Sequence, residues 1–359
     1  MYTLFLIGLI CVYLAYLASI DRLKNGLALS FIILGFIYAI HFDFGVDLWN
    51  YNAHFEATKQ LGELKNCFQE KEFGWYTLLW IIGRLGLGFQ WIIIINGIVI
   101  NYIVYAFIRD YVKQRWWTLA VFVYVFTYSL YAISFSMLRQ SLAMALFLLS
   151  WRFICNKKIL LSLLIIILAI TIHTSAFMLL PFVLWGYLPV KYNKMYSLSF
   201  LFLFVVFFIN KEFMQEVLGY VATMGDIGDY LTQRSKWDGS TGFGLGYMLI
   251  NIPFVLSLFM LYRNKFSNYE KRLIILANIG YLLAPFSQIN ALVLRLTMYY
   301  TIYTIATIPI VYEHIAIRRY RIISILITVL ITIYSYFAFF LEFSNSDLNF
   351  IEYRTFFNY

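Results

Sequence analysis

The chain has 359 residues, of which 62% are hydrophobic, 21% aromatic and only 13% charged, and its mean hydropathy is +0.77. This composition excludes a soluble domain and indicates a helical protein that crosses a membrane many times. The formal net charge of +9 comes mostly from Lys and Arg in short loops, which is typical of cytoplasmic loops and gives no sign of a nucleic-acid partner.

Apolar runs follow one another along the whole chain, without an internal repeat. They cover about 3–20, 27–42, 90–108, 116–133, 138–155, 158–172, 174–188, 195–210, 246–263, 270–286, 292–313 and 320–342. A weaker run over about 74–88 is interrupted by three glycines and Arg84. The runs predict an all-α polytopic membrane protein with about 12 transmembrane helices, forming a single transmembrane domain over 1–359.

Six clusters of Lys and Arg in the loops predict the orientation of the chain. They are Arg22/Lys24, Arg109/Lys113/Arg115, Lys157/Lys158, Lys191/Lys194, Arg263/Lys265/Lys271/Arg272 and Arg318/Arg319/Arg321. With all six in the cytoplasm, only one full crossing fits between residue 43 and Arg109. We therefore predict that 74–88 is re-entrant or interfacial. Two long loops, at about 43–73 and 211–245, then lie on the extracytoplasmic side.

The stretch 134–145 carries a cation, an amide and three hydroxyls between two long apolar runs. Its Arg139 falls in the first turn of the run 138–155, where free N–H groups already make the helix end positive. An Arg at this position is explained if an anion lies beside it, and a guanidinium at a helix N-terminus suits phosphate. The alternative is an interfacial Arg whose side chain extends to lipid headgroups.

Residues 158–188 form an apolar block with lysines near both ends. Because both flanks favour the cytoplasm, the block is predicted to form two short helices that meet on the outer side, at residues 171–175. His173 would then lie in a recess below the outer surface, where an imidazole can take a proton from a sugar hydroxyl. The alternative is a histidine hydrogen-bonded between packed helices.

Arg295 lies within the run 292–313, with Tyr299 and Tyr303 four and eight residues further on. This spacing predicts that the three side chains share one helix face. An Arg inside a span is costly and is therefore a candidate for function. A cation–π contact with its own tyrosines is the alternative.

The first outer loop begins with carboxylates among aromatic residues, including Asp43, Asp47 and Tyr51, and closes with Glu72-Phe-Gly-Trp-Tyr76. Carboxylates bind sugar hydroxyls and aromatic rings pack on sugar faces, so the loop is predicted to bind carbohydrate. The alternative is that both aspartates are turn or cap residues. No group of His and carboxylates has the spacing of a metal site, and no cofactor is predicted. The second outer loop is interpreted either as a lid or as a connector.

Taken together, these motifs resemble the EpsG family of bacterial Wzy-type polysaccharide polymerases. The shared pieces are Gly45-x-Asp47-x-x-x-Tyr51, Glu72-Phe-Gly-Trp-Tyr76, Arg139-Gln140 with Ala143, His173-Thr-Ser-Ala176, and the helix with Arg295 and Tyr299. They follow the family's order and cover most of the chain. The chain departs from the family at His41, where an Arg commonly precedes the Gly-x-Asp piece.

The resemblance implies a fold similar to the membrane-embedded GT-C glycosyltransferases. It implies transfer of a growing glycan from undecaprenyl pyrophosphate onto a hydroxyl of a lipid-linked repeat unit, without a metal, at the outer face of the bacterial cytoplasmic membrane. In this interpretation His173 is the general base, and Arg139 and Arg295 neutralise the leaving pyrophosphate. The predicted substrate-binding residues are Gln140, Asp47, Tyr51, Glu72, Tyr299 and Tyr303. The implied partners are the lipid-linked oligosaccharide, membrane lipids, and a chain-length regulator and a flippase of the same pathway.

Other functions stay open at this point. A transporter or flippase of lipid-linked glycan would favour charges at the membrane midplane and repeated halves. A membrane O-acyltransferase also uses an intramembrane His, but its cytoplasmic acyl donor would not reach His173 in the predicted topology. A non-catalytic scaffold leaves the charges on one membrane face unexplained. A glycan ligase differs from the polymerase only in its acceptor.

Overall fold

A computed structural model describes residues 2–188, 193–209, 251–263, 265–287, 291–344 and 353–358, together with Phe213 and Glu216. Within these residues four helices are long and apolar enough to cross a membrane: Tyr2–Ser19, Gln90–Tyr111, Leu138–Cys155 and Arg318–Leu341. With several shorter apolar helices, they indicate an all-α membrane protein, as predicted. The count of about 12 spans stays a prediction, and the loop 211–245 lies outside the described residues apart from Phe213 and Glu216.

The chain divides into two compact units, and the larger one contains Met1–Leu188 and Ile333–Tyr359. Its α-helices are α1 Tyr2–Ser19, α2 Gly26–Ile40, α3 Leu48–Lys59, α4 Phe73–Arg84, α5 Gln90–Tyr111, α6 Trp117–Phe126, α7 Tyr131–Ser134, α8 Leu138–Cys155, α9 Ile159–Ile172 and α10 Leu180–Tyr187. Shorter 3₁₀ helices cover Leu64–Gln69, Gln114–Trp116, Thr174–Leu179 and Phe356–Asn358. Strand β1 (His41–Phe42) pairs antiparallel with β2 (Arg354–Thr355), with His41 opposite Thr355.

The second unit contains Pro189–Thr332. Its helices are α11 Lys194–Ile209, α12 Ile252–Tyr262, α13 Asn268–Ser287, α14 Ala291–Thr301, α15 Thr304–Glu313 and α16 Arg318–Ser344, whose last residues belong to the first unit. The run 292–313, predicted as one helix, is interrupted at Ile302 and Tyr303 by i→i+3 bonds such as Tyr303 N–H to the Tyr300 carbonyl at 3.1 Å. Tyr303 therefore lies beyond the end of the helix that carries Arg295, which corrects the prediction of one shared helix face.

Helix packing in the first unit builds a core around α8. Helix α2 packs against α1 and α5, and α8 packs against α5 and α9. All but a few of the residues of α8 are buried, including Trp151. Burying this much apolar surface in a tightly packed core fixes α8, so both of its ends present their polar residues at defined places.

Contacts in the first unit connect segments that lie next to three of the basic clusters predicted to be cytoplasmic. Gln114 donates hydrogen bonds to Asp21 at 2.6 Å and to the carbonyl of Ala18 at 2.9 Å. Arg152, near the end of α8, lies 3.9 Å from Asp110. Because α8 begins at Leu138, Arg139 lies at the opposite end of this helix from Arg152. That the two ends face opposite sides of the membrane stays a prediction.

The predicted apolar run 116–133 differs from the observed helices. The run 116–133 is divided, because α6 ends at Phe126 and α7 begins only at Tyr131. Backbone groups at this break are paired: the Leu130 N–H donates to the Thr127 carbonyl at 2.9 Å, and the Ile133 N–H donates to the Tyr128 carbonyl at 3.0 Å. The Tyr38 hydroxyl donates to the Ser134 carbonyl, at the end of α7, at 2.8 Å. Irregular backbone within an apolar core is tolerated when its polar groups are paired in this way.

The first outer loop, predicted over 43–73, is largely ordered into α3 and a 3₁₀ helix. The weaker apolar run that follows it forms α4, which has only 12 residues and ends at Arg84. A helix of this length is about 18 Å long, shorter than the roughly 30 Å hydrocarbon core. Its length agrees with a re-entrant or interfacial segment, which stays a prediction.

Candidate functional site

His173 lies at the junction that the sequence predicted. Helix α9 ends at Ile172, and His173 adopts an extended conformation (φ −148°, ψ 112°) before a 3₁₀ helix begins at Thr174. The imidazole is 16% exposed. The break in the helix therefore turns a half-buried imidazole toward the end of the unit that also carries Arg139.

Glu72 is the residue that joins this histidine to Arg139. Its Oε1 lies 2.7 Å from Nδ1 of His173, and its Oε2 accepts a hydrogen bond from Nη1 of Arg139. The backbone N–H of Thr174 donates to Oε1 at 2.9 Å, and the Thr174 hydroxyl donates to it at 3.3 Å. Residues that lie 67 to 102 positions from Glu72 in sequence thus meet at its carboxylate, and the Glu72 side chain is 11% exposed.

The charge of Glu72 decides which nitrogen of His173 carries a proton. Burial alone would raise the pKa of Glu72, but the hydrogen bond and charge of His173, the charge of Arg139 and the Thr174 N–H outweigh it and lower the pKa to about 2. At neutral pH the carboxylate is ionised and can only accept hydrogen bonds, so Nδ1 of His173 is the donor. In neutral imidazole Nε2 is then the proton acceptor, and among the described residues it has no hydrogen-bond partner.

Arg139 has the anion that its place at a helix N-terminus requires, and that anion is the carboxylate of Glu72. Its guanidinium also lies 5.2 Å from the ring centroid of Tyr51, a cation–π geometry. The N–H at Nε is buried and has no acceptor in the described part of the chain. Arg139 therefore keeps hydrogen-bonding capacity beyond its ion pair with Glu72.

Two glycines allow the outer loop to approach this site closely. A Cβ on Gly74 would collide with Thr171 Oγ1 and lie 2.8 Å from Thr171 Cβ, so only Gly lets α4 contact the end of α9 at this point. Gly45 has φ +129° and its Cα faces the backbone of Ser136, where a Cβ would lie 2.8 Å from the Ser136 Cα. These contacts bring the sequence pieces that begin at Gly45 and Glu72 against the segments that carry Arg139 and His173.

Three predicted substrate-binding residues of the first unit, Asp47, Tyr51 and Gln140, differ in their burial and contacts. Asp47 is partly exposed, and its backbone N–H donates to Ser136 Oγ at 3.2 Å. Tyr51 is buried under Arg139 and packs edge-on against Trp75, with ring centroids 5.6 Å apart. Gln140 is buried within α8. Their roles in binding substrate stay predictions.

His41, which stands where the family commonly has an Arg, is buried next to strand β2. Its Nδ1 contacts the Tyr38 carbonyl, and its ring packs edge-on against Tyr38 and Phe135. This buried ring among aromatic side chains does not reproduce the guanidinium of an arginine.

Arg295 belongs to the second unit, in α14, and is half-buried. Tyr299 is fully buried on the same helix, and Tyr303 is buried at the N-terminus of α15. The joint action of Arg295 and Arg139 on one pyrophosphate stays a prediction, because the two arginines belong to different units.

Sequence reasoning missed the part that Glu72 and Thr174 play in this cluster. It treated Glu72 as one carboxylate of a sugar-binding loop and treated Thr174 only as part of a helix junction. The one available signal was the acidic residue placed directly before Phe-Gly-Trp-Tyr in an otherwise aromatic segment. Nothing in the spacing of Glu72, Arg139 and His173 predicts that they touch.

The arrangement has the parts of an acid–base site. An ionised carboxylate holds the imidazole through Nδ1, leaves Nε2 as the acceptor, and keeps a guanidinium beside the same carboxylate. Such a site can remove a proton from a hydroxyl and can stabilise negative charge nearby.

Comparison with curated proteins and with solved structures gave no match. The sequence model of the EpsG family, in contrast, matches residues 27–355, which span nearly the whole chain and all the site residues named above. The chain therefore belongs to the EpsG family, which makes it a membrane protein of polysaccharide biosynthesis with the general character of a glycosyltransferase-like polymerase.

Proposed function

We propose that this protein is a polysaccharide polymerase of the bacterial cytoplasmic membrane. It transfers a growing glycan from undecaprenyl pyrophosphate onto a hydroxyl of a lipid-linked repeat unit, at the outer face of that membrane. The observation that carries the proposal is the contact of one ionised carboxylate, Glu72, with both His173 and Arg139 in a chain that belongs to the EpsG family.

The reaction needs one proton acceptor. The acceptor sugar hydroxyl gives its proton to Nε2 of His173 while its oxygen forms a bond to the anomeric carbon of the donor glycan. The bond between that carbon and the pyrophosphate oxygen breaks, and undecaprenyl pyrophosphate leaves with the electron pair. The imidazolium that forms is stabilised by the carboxylate of Glu72, which already bonds to Nδ1.

The leaving group needs positive charge. Pyrophosphate is a good leaving group once its charge is neutralised, and two arginines can supply that charge without a metal. Arg139 has an N–H at Nε that no described residue accepts, and a phosphate oxygen is a suitable acceptor. Arg295 is proposed as the second cation, on the grounds of its charge inside an apolar run.

Reconstitution tests the proposed reaction directly. Purified protein in lipid vesicles, supplied with undecaprenyl-pyrophosphate-linked repeat units as the sole sugar source, should produce a ladder of longer lipid-linked glycans, and EDTA should not abolish it. A product in which the glycan moves to a different lipid acceptor would assign a ligase. Movement of unchanged lipid-linked glycan across the bilayer would assign a transporter.

The orientation of the site can be tested with a cysteine that the chain already has. Cys155 is exposed at the end of α8 that is predicted to be cytoplasmic, whereas Cys11 and Cys67 are buried. A membrane-impermeant thiol reagent applied to intact cells should leave Cys155 unmodified. In a Cys155→Ser background, Lys65→Cys in the outer loop should be modified from outside. The reverse pattern contradicts the proposed placement of the site.

A further inference from the structure

Protein groups occupy most of the acceptor positions of Glu72. A carboxylate has about four lone-pair positions. Oε1 receives Nδ1–H of His173, the Thr174 N–H and the Thr174 hydroxyl, and Oε2 receives Nη1 of Arg139. With 11% of its side chain exposed, Glu72 faces the protein rather than a ligand.

We propose that Glu72 is the positioning residue of this site, which holds His173 in the tautomer that leaves Nε2 as proton acceptor and fixes Arg139 beside it. This role differs from the substrate-binding role that the sequence suggested, and it rests on the proposed function of His173. Glu72 acts through His173 and Arg139 and does not touch substrate.

An amide cannot replace this carboxylate. In Glu72→Gln, an amide oxygen facing His173 leaves the NH₂ group against Nη1 of Arg139, which is also a donor. In the flipped amide the NH₂ group faces the Thr174 N–H and Nδ1 of His173. Nδ1 must then give up its proton, and Nε2 carries it instead. Either arrangement disturbs one of the two groups that Glu72 holds.

The first test is a double-mutant cycle between Glu72 and His173, measured as glycan-ladder turnover per mole of folded protein. Glu72→Gln should lower turnover about 10- to 100-fold in the parent, as loss of an orienting partner typically does. In the His173→Ala background the same change should cost less than about 3-fold, because residues that act as a unit are strongly non-additive. An equal loss in both backgrounds overturns the proposal, and so does the absence of a loss.

Two further variants separate positioning from folding. Glu72→Asp keeps the charge but is one methylene shorter, so it should retain more turnover than Glu72→Gln at equal thermal stability. Glu270→Gln removes a carboxylate that contacts His314 at 3.3 Å in the second unit, and it should leave turnover unchanged in both backgrounds. If the aspartate variant is no faster than the glutamine variant, the charge of Glu72 is not what matters and the proposal fails.

The second test does not need activity. Side-chain ¹⁵N shifts of histidine-labelled protein, with His173→Ala used to assign the signals, report which nitrogen of His173 carries the proton. The parent should show Nδ1–H, and Glu72→Gln should shift the population toward Nε2–H. A parent that makes no polymer but shows Nδ1–H contradicts the proposed function alone. A parent that polymerises but shows Nε2–H contradicts the positioning role alone.

Discussion

Among the residues that the structure describes, two carboxylates contact a histidine, one in each compact unit, and they differ in how they are used. Glu72 Oε1 lies 2.7 Å from His173 Nδ1, and Glu270 Oε1 lies 3.3 Å from His314 Nε2. The two carboxylates are almost equally buried, with 11% and 10% of the side chain exposed. Burial and a carboxylate–imidazole contact are therefore common to both, and neither feature alone distinguishes a functional site.

The difference lies in the remaining partners. Glu270 Oε2 accepts bonds from both the N–H (2.8 Å) and the hydroxyl (2.6 Å) of Ser267, three residues earlier, and so caps the N-terminus of α13. The partners of Glu72 come from α8 and from the junction after α9, and they include an arginine. A local cap stabilises its own helix, whereas Glu72 assembles groups that have complementary chemistry.

The largest expected contrast is between the two histidines. His173→Gln should lower glycan-ladder turnover by about 10²–10⁴-fold, because an amide cannot accept the proton and a positioned base typically contributes this much. His314→Gln should leave turnover within about 2-fold, because its imidazole contacts a capping carboxylate. Turnover per mole of detergent-stable protein is the measurement.

The variants His173→Gln and His314→Gln also separate a catalytic base from a structural histidine. A structural His173 would lower thermal stability while leaving the activity of each folded molecule intact. A His173→Gln protein with near parental turnover would end the base assignment and make Asp47, whose carboxylate is partly exposed, the next candidate.

The next contrast lies within α8, which carries an arginine near each end. Arg139→Lys should lower turnover about 10- to 100-fold, since Lys lacks the planar donor set that can bond a carboxylate and a phosphate together. Arg152→Lys is the matched control, because Arg152 is half-exposed and its guanidinium lies 3.9 Å from Asp110, at the limit of an ion pair. This substitution should change turnover less than about 2-fold. Equal losses in the two variants would mean that the effect does not depend on the place of Arg139 beside Glu72, and would contradict the role given to Arg139.

The sequence predicted the position of His173 better than it predicted the contacts of His173. The junction at His173 followed from lysines at both ends of one apolar block, because the charges require an even number of crossings. The contact of Glu72 with His173 could not be predicted, since it depends on α4 packing against α9 across 101 residues of sequence. The break after Phe126 was missed for a similar reason. The run 116–133 contains neither Gly nor Pro, and the segment after the break is bonded to α2 through the Tyr38 hydroxyl and the Ser134 carbonyl and through the Tyr131 hydroxyl and the Leu34 carbonyl.

A smaller effect is expected from the packing that brings Glu72 to His173. In Gly74→Ala the new methyl group collides with Thr171, so α4 must move away from α9. Overpacking of this kind costs about 1–3 kcal/mol, and a shift of about 1 Å at the site should lower turnover roughly 10-fold or more. Gly62→Ala is the control, because no heavy atom lies within 4 Å of the added Cβ. Equal turnover for the two alanine variants would show that the close contact of α4 with α9 is not needed.

The smallest effect is expected in the dependence of stability on pH. The pKa of Glu72 is about 2 in the folded protein, below its ordinary value of 4.5, so the folded state binds fewer protons than the unfolded state between these values. The stabilisation is complete above pH 4.5 and decreases as pH falls toward 2. The Tm of the parent in detergent should therefore fall over this range, and Glu72→Gln should flatten that part of the curve because it has no carboxyl group to titrate.

Glu270→Gln should leave the Glu72 contribution in place, since the cap at Ser267 is separate from the site. A Glu72→Gln curve as steep as that of the parent would mean that other carboxyl groups carry the acid transition, and that the ion pairs of Glu72 add little to folding even where they orient His173.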